Sequence, residues 1–94
     1  TKDRSKEIEL TPDDIETLIR EPVRAARKLR RRLGLPGREV EDLGQDLLVD
    51  LLRRLPAYDR SRGSLGAFAG IVLKNQSSRI ALRIMRTRDA ENGG

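Results

Sequence analysis

The sequence predicts an all-helical fold, a compact bundle of three main helices, on three observations. Apolar residues recur at three- and four-residue steps over two long stretches, no segment alternates with period two over a useful length, and short Gly- and Pro-containing connections separate the helical stretches. The connections are short enough to make neighbouring helices pack side by side. With 94 residues the chain is one domain, and a domain of this size buries only about 60–65% of the surface its unfolded chain exposes.

Residues 1–10 are charged and lack a sustained period, which suits a flexible N-terminal arm or a short extra turn. The helical domain then spans 11–88. Thr11-Pro12-Asp13-Asp14 supplies a capping hydroxyl, a proline pre-set for the first helical position and two carboxylates at the positive end of the helix dipole. Ile15, Leu18, Ile19, Val23, Ala26, Leu29 and Leu33 follow as one apolar face, interrupted by Pro22, which is expected to end or kink the helix near Arg20 or Glu21. Gly34 is a stop signal, and Pro36-Gly37 makes a tight connection. In the second helix Val40, Leu43, Leu47 and Leu51 form the buried stripe, with Leu48 and Leu55 on its flank. At about 100° per residue, Asp42, Gln45, Asp46, Val49 and Arg53 fall on the far side. Pro56 closes this helix, Ala57 to Gly63 reads as a loop, and Ser64 caps a third helix running to about Thr87. Gly66 and Gly70 each cost that helix about 1 kcal/mol relative to Ala. Residues 89–94 are expected as a flexible tail.

Composition narrows the function classes. The chain has no Cys and no His, so disulfides, thiolate nucleophiles and the two main zinc ligands are absent, and acid–base chemistry would rest on carboxylates, Lys or the single Tyr58. These absences predict a protein that is not an enzyme and needs no metal or cofactor. No apolar stretch reaches the roughly 18 residues of a membrane span, and the charged start is unlike a signal peptide, so a cytoplasmic protein without membrane contact is expected.

Charge is strongly segregated. Lys and Arg number 20 against 15 acids, for a net +5, and only Lys2, Lys6, Lys28 and Lys74 are not Arg. Guanidinium forks grip phosphates and carboxylates in two-point contacts. One basic cluster, Arg20, Arg24, Arg27, Lys28, Arg30, Arg31 and Arg32, lies on the first helix; its blander reading is a solvated face. Asp42, Asp46 and Asp50 recur on the second helix without the ligand loop of an EF-hand. Val49 set among those polar residues suits the centre of a partner-binding patch. From Arg60 to Arg88 no acidic residue occurs, and Asn75, Arg79, Arg83 and Arg86 step along one stripe that a polyanion would stabilise.

Several ordered motifs then become specific. Val40-Glu41-Asp42-Leu43-Gly44-Gln45-Asp46-Leu47-Leu48, Leu55-Pro56-Ala57-Tyr58-Asp59-Arg60-Ser61-Arg62-Gly63-Ser64-Leu65-Gly66-Ala67-Phe68 and Lys74-Asn75 together resemble region 2 of bacterial sigma-70 family factors. The likeness is greatest to the short extracytoplasmic-function (ECF) group and covers about Asp14 to Arg86. The resemblance implies a helical domain that docks on the beta-prime clamp helices of core RNA polymerase and opens and reads the promoter minus-ten element. Position by position, it implies polymerase docking by Asp42, Gln45 and Asp46, with Val49, Asp50 and Arg53 on or beside that face. It likewise implies that Tyr58, Asp59, Arg62 and Gly63 cradle an extruded base, that Phe68, Lys74 and Asn75 belong to the melting segment, and that Arg79, Arg83 and Arg86 continue the promoter-reading helix. Its partners would be core polymerase, promoter DNA and an anti-sigma factor, and the free chain would be a monomer.

The chain departs from the family pattern, which usually has Phe, Trp and Tyr where this chain has Leu65, Phe68 and Gly70, a basic residue where it has Ile71 and an Asp where it has Arg79. Each stacked base is worth about 1–3 kcal/mol, so lost rings weaken melting. Nothing resembles region 4, which leaves a fragment or a stand-alone region 2 protein as alternatives. Two other functions compete: a polymerase-binding regulator or decoy without promoter opening, and an unrelated basic helical DNA binder. The latter would use Leu29 to Leu51 as a helix-turn-helix, whose acidic second helix phosphates would repel.

Overall fold

The computed structural model describes residues 9–93, with side chains through residue 89. Residues 1–8, which make up most of the expected arm, and Gly94 lie outside the described residues. Three helices form the all-α domain: α1 (Pro12–Leu33), α2 (Glu39–Arg54) and α3 (Leu65–Gly93), with no strand among the described residues.

Helix α1 begins with a reciprocal cap. The Thr11 hydroxyl accepts from the Asp14 N–H at 3.1 Å, and the Asp14 carboxylate accepts from the Thr11 N–H at 3.0 Å. It ends at Gly34, whose φ of 65° lies in the left-handed region that glycine occupies without a Cβ penalty. The Leu35 N–H returns to the Arg30 carbonyl at 3.0 Å, and the Arg30 Nε donates to the Leu35 carbonyl at 2.9 Å, closing the turn.

The expected break at Pro22 does not end the helix, since α1 is continuous from Pro12 to Leu33. Proline removes the hydrogen bond to the Leu18 carbonyl, but the Pro22 ring is among the fully buried side chains. Packing of that ring offsets the missing bond.

Two long-range contacts set the helix directions. Arg60, just before α3, donates to Asp14 at 3.0 Å, while Arg88 near the end of α3 donates to the Leu33 carbonyl at 2.9 Å. Helices α1 and α3 therefore run parallel, and α2 returns between their ends. The Arg88 guanidinium also places a cation at the negative end of the α1 dipole. Helix α3 continues past its expected end near Thr87, and the stretch expected as a tail is helical to Gly93. The molecule accordingly measures 57 × 22 × 20 Å.

The core is built from the expected stripe of α2, Leu43, Leu47 and Leu51, against Leu18, Ala26 and Leu29 of α1 and Leu65, Ala69, Val72, Leu73, Ile80 and Ala81 of α3. Each fully buried leucine contributes about 1.5–3 kcal/mol. One expectation for α1 fails: Ile15, Ile19 and Val23 are exposed rather than part of the core face. Ile19 and Val23 lie on one edge of an apolar arc wider than two partner helices cover, whereas Ile15, in the middle of that arc, is exposed in the first turns of the helix.

Candidate functional site

Three surfaces carry the residues singled out by sequence. On α2, the leucines that face inward force Asp42, Gln45, Asp46, Val49 and Arg53 outward, and all five are exposed. Val49 keeps 48% of its surface open to solvent at the centre of this strip. Asp42 and Asp46 pair with no cation among the described residues. Asp50 is placed differently: it is half-buried, accepts from the Arg54 Nε at 3.0 Å, and borders a small pocket between α2 and α3 with Val72, Asn75 and Arg79.

Beside the outer face of α2 lies an apolar groove of about 430 Å³ between α1 and α2, bordered by Ile19, Pro22, Val23, Val40 and Leu48, with Gln45 at its rim. Sequence reasoning missed this feature because it assigned Ile19 and Val23 to the core. The available signal was the excess width of the α1 apolar face.

The second surface is the elbow between α2 and α3. A single 3-10 turn at Leu55–Ala57 follows α2, and another at Arg60–Arg62 is capped by Asp59. The Asp59 Oδ1 accepts from the Ser61 N–H at 2.9 Å and from its hydroxyl at 2.6 Å. These bonds to Ser61, and then the nearby charge of Arg62, hold the Asp59 carboxyl below the ordinary carboxylate range.

Tyr58 faces inward, only 8% exposed. Its hydroxyl donates to the Gly63 carbonyl at 2.9 Å, its ring meets Phe68 at 5.2 Å between centroids with a tilt of 48°, and the Arg60 guanidinium lies 5.7 Å from its ring centre. The ring thus braces the loop. Phe68 is half-buried, while Asp59, Arg62 and Gly63 are exposed around this aromatic pair.

Arg60 is the elbow residue that sequence reasoning missed. Its Nη2 reaches both the Asp14 carboxylate at 3.0 Å and the Glu9 carbonyl at 2.9 Å, tying the loop to the α1 cap. The Thr11 N–H, followed by Arg60, holds the Asp14 carboxyl below its ordinary range. A contact spanning this much sequence leaves no local spacing signal.

The third surface is α3. Ser64 caps it, accepting from the Ala67 N–H at 3.1 Å. Lys74, Asn75, Arg79, Arg83 and Arg86 are all exposed, but not on one side. Asn75 and Arg79 border α2, whereas Lys74 lines a groove against α1. The Asn75, Arg79, Arg83 and Arg86 stripe therefore stands apart from Lys74, with Arg79 about 140° around the helix from it.

Among the described residues no cluster of carboxylates is arranged to hold a metal ion, and no helix is long and apolar enough to cross a membrane. No curated protein and no solved structure matches the chain. The family model for sigma-70 region 2 matches residues 18–90, a span that includes most of α1, all of α2, the elbow and nearly all of α3. The chain belongs to the sigma-70 region 2 family, a family of non-enzymatic transcription-initiation modules that bind RNA polymerase and recognise promoters.

Proposed function

We propose that this domain docks on the beta-prime clamp helices of core polymerase through the outer face of α2 and engages the promoter minus-ten strand through the elbow and α3. The observation that carries the reading is the strip of Asp42, Gln45, Asp46, Val49 and Arg53: it is exposed, its two outer aspartates are unpaired among the described residues, and an apolar residue sits at its centre. A charged rim around an apolar centre fits a basic, partly apolar helical partner. The neighbouring apolar groove of α1 and α2 extends that surface.

On the DNA side, Asp59, Arg62 and Gly63 form the exposed edge of the elbow, while Asn75, Arg79, Arg83 and Arg86 follow a strand along α3. Tyr58 shapes the loop, and Phe68 offers the ring edge left uncovered. Strand opening then draws mainly on basic groups along the backbone, with little stacking. An anti-sigma factor acting on this module would mask the α2 strip, and the free chain is a monomer in this reading.

A second reading, a polymerase-binding regulator that does not open the promoter, is favoured by one observation: the Tyr58 ring is covered by Phe68 and Arg60 and lends no free face to a base. Core polymerase reconstituted with the chain, on a promoter carrying a fluorescent base analogue in the minus-ten element, separates the two. A rise in fluorescence that Arg79→Glu/Arg83→Glu abolishes supports opening. Binding of the chain to polymerase with no rise on any promoter favours the regulator.

A further inference from the structure

We propose that Arg60 is a positioning residue for promoter engagement: by fastening the elbow to the start of α1, it holds the exposed edge of the loop where a DNA strand meets it. That role rests on the elbow meeting the strand, as proposed above.

The Arg60 Nη2 donates to the Asp14 carboxylate at 3.0 Å and to the Glu9 carbonyl at 2.9 Å, so one guanidinium bridges the first turn of α1 and the chain that leads into it. The same guanidinium lies 5.7 Å from the centre of the Tyr58 ring. Asp14 is itself fixed. Its carboxylate also accepts from the Thr11 N–H at 3.0 Å, its own N–H is held by the Thr11 hydroxyl at 3.1 Å, and its side chain is only 12% exposed. An acceptor already ordered by the helix cap removes part of the entropy cost that makes most exposed ion pairs weak.

The loop is pinned at two separate points. Arg60 secures the start of the 3-10 turn Arg60–Arg62, and the Tyr58 hydroxyl secures its far side at the Gly63 carbonyl, 2.9 Å away. Between these points Ser61 and Arg62 are exposed. Arg62 keeps 87% of its side chain open to solvent and lies 3.8 Å from the Asp59 carboxylate, so the backbone that carries it largely sets where it points.

An anchor and a direct phosphate contact predict opposite signs for Asp14. Removing its carboxylate makes the chain more basic and releases Arg60, so plain attraction to phosphates would tighten binding. A lost anchor weakens binding, because the strand must then order a loosened loop.

The test is fluorescence anisotropy of the whole chain with a labelled single DNA strand, selected from a random pool for tight binding to the unaltered chain, each variant being checked for fold by far-UV circular dichroism. Arg60→Ala and Asp14→Ala should each weaken binding about fivefold, the most that an exposed ion pair is ordinarily worth, and the double variant should lose no more than either alone. Asp13→Ala, which removes a carboxylate from the same helix turn, and Thr11→Ala, which loses the capping hydroxyl but keeps Asp14 and Arg60, should stay within about twofold of the unaltered chain. With one Tyr and no Trp in the chain, Tyr58 is the single source of the tyrosine near-UV band, which should weaken in Asp14→Ala while the far-UV spectrum is kept. Tighter or unchanged binding by Asp14→Ala while Arg62→Glu is impaired, an equal loss in Asp13→Ala, additive losses in the double variant, or an unchanged tyrosine band would each overturn the anchor alone. An unaffected Kd in Arg62→Glu would overturn the elbow reading and the anchor with it.

Discussion

Tyr58, expected from the sequence to meet an extruded base, is packed within its own loop. Its hydroxyl holds the Gly63 carbonyl and its ring lies against Phe68, so its position in the family motif was legible in the sequence while its orientation was not. Orientation depends on Phe68 and Arg60 converging on the ring, which only the folded chain brings about. Tyr58→Phe should cost about 1 kcal/mol, the net worth of one hydrogen bond, because the Gly63 carbonyl is then left to solvent. A lower urea midpoint with an unchanged m-value is the expected result; no change in midpoint would mean that the bond contributes nothing net in solution.

Among the elements, α2 was read correctly because its leucines keep one period and short connections fix which face turns inward. Helix α1 was harder: the Pro22 rule is local, whereas burial of the ring is a tertiary effect that outweighs it. The limited cover of two partner helices likewise left Ile19 and Val23, at one edge of the α1 apolar face, open to solvent. Two predictions belong at this scale. Gly44→Ala should stabilise the domain by about 1 kcal/mol, since the added methyl would sit in ordinary contact, 3.8 Å from the Ala26 Cβ; a lower thermal midpoint would contradict that packing.

The second concerns acid. Asp14 and Asp59 both have carboxyl values lowered by folding. Each therefore contributes stability that is present above its unfolded-state value and is lost as pH falls through the lower folded-state value. Thermal midpoints should decline as pH drops below the ordinary carboxylate range, and Asp14→Asn should flatten part of that decline. A decline of the same steepness in Asp14→Asn would remove the α1 cap and its Arg60 link from the acid response.

At the scale of the whole molecule, the core leaves different faces free for different work. Leu47, with no exposed surface, lies on the inward side of α2, opposite the exposed strip. Leu47→Ala should destabilise the fold by about 2–5 kcal/mol through the lost burial and the cavity left behind, a large share of the stability of a domain this size. The all-helical class, the α2 face and the basic α3 stripe were legible because each rests on periodicity. The α1–α2 groove, the Arg60–Asp14 link and the separation of Lys74 from Asn75 were not, because each depends on which neighbouring helix a given face meets.

The central claim is that the outer face of α2 is the polymerase-docking surface. Binding of the purified chain to core RNA polymerase and to an isolated beta-prime clamp-helix fragment, with Asp46→Arg alongside, tests it most directly. Saturable binding to both, weakened at least about tenfold (~1.4 kcal/mol) by Asp46→Arg without loss of fold, is the predicted result. Binding to neither target, or equal binding by the Asp46→Arg variant, would contradict the account.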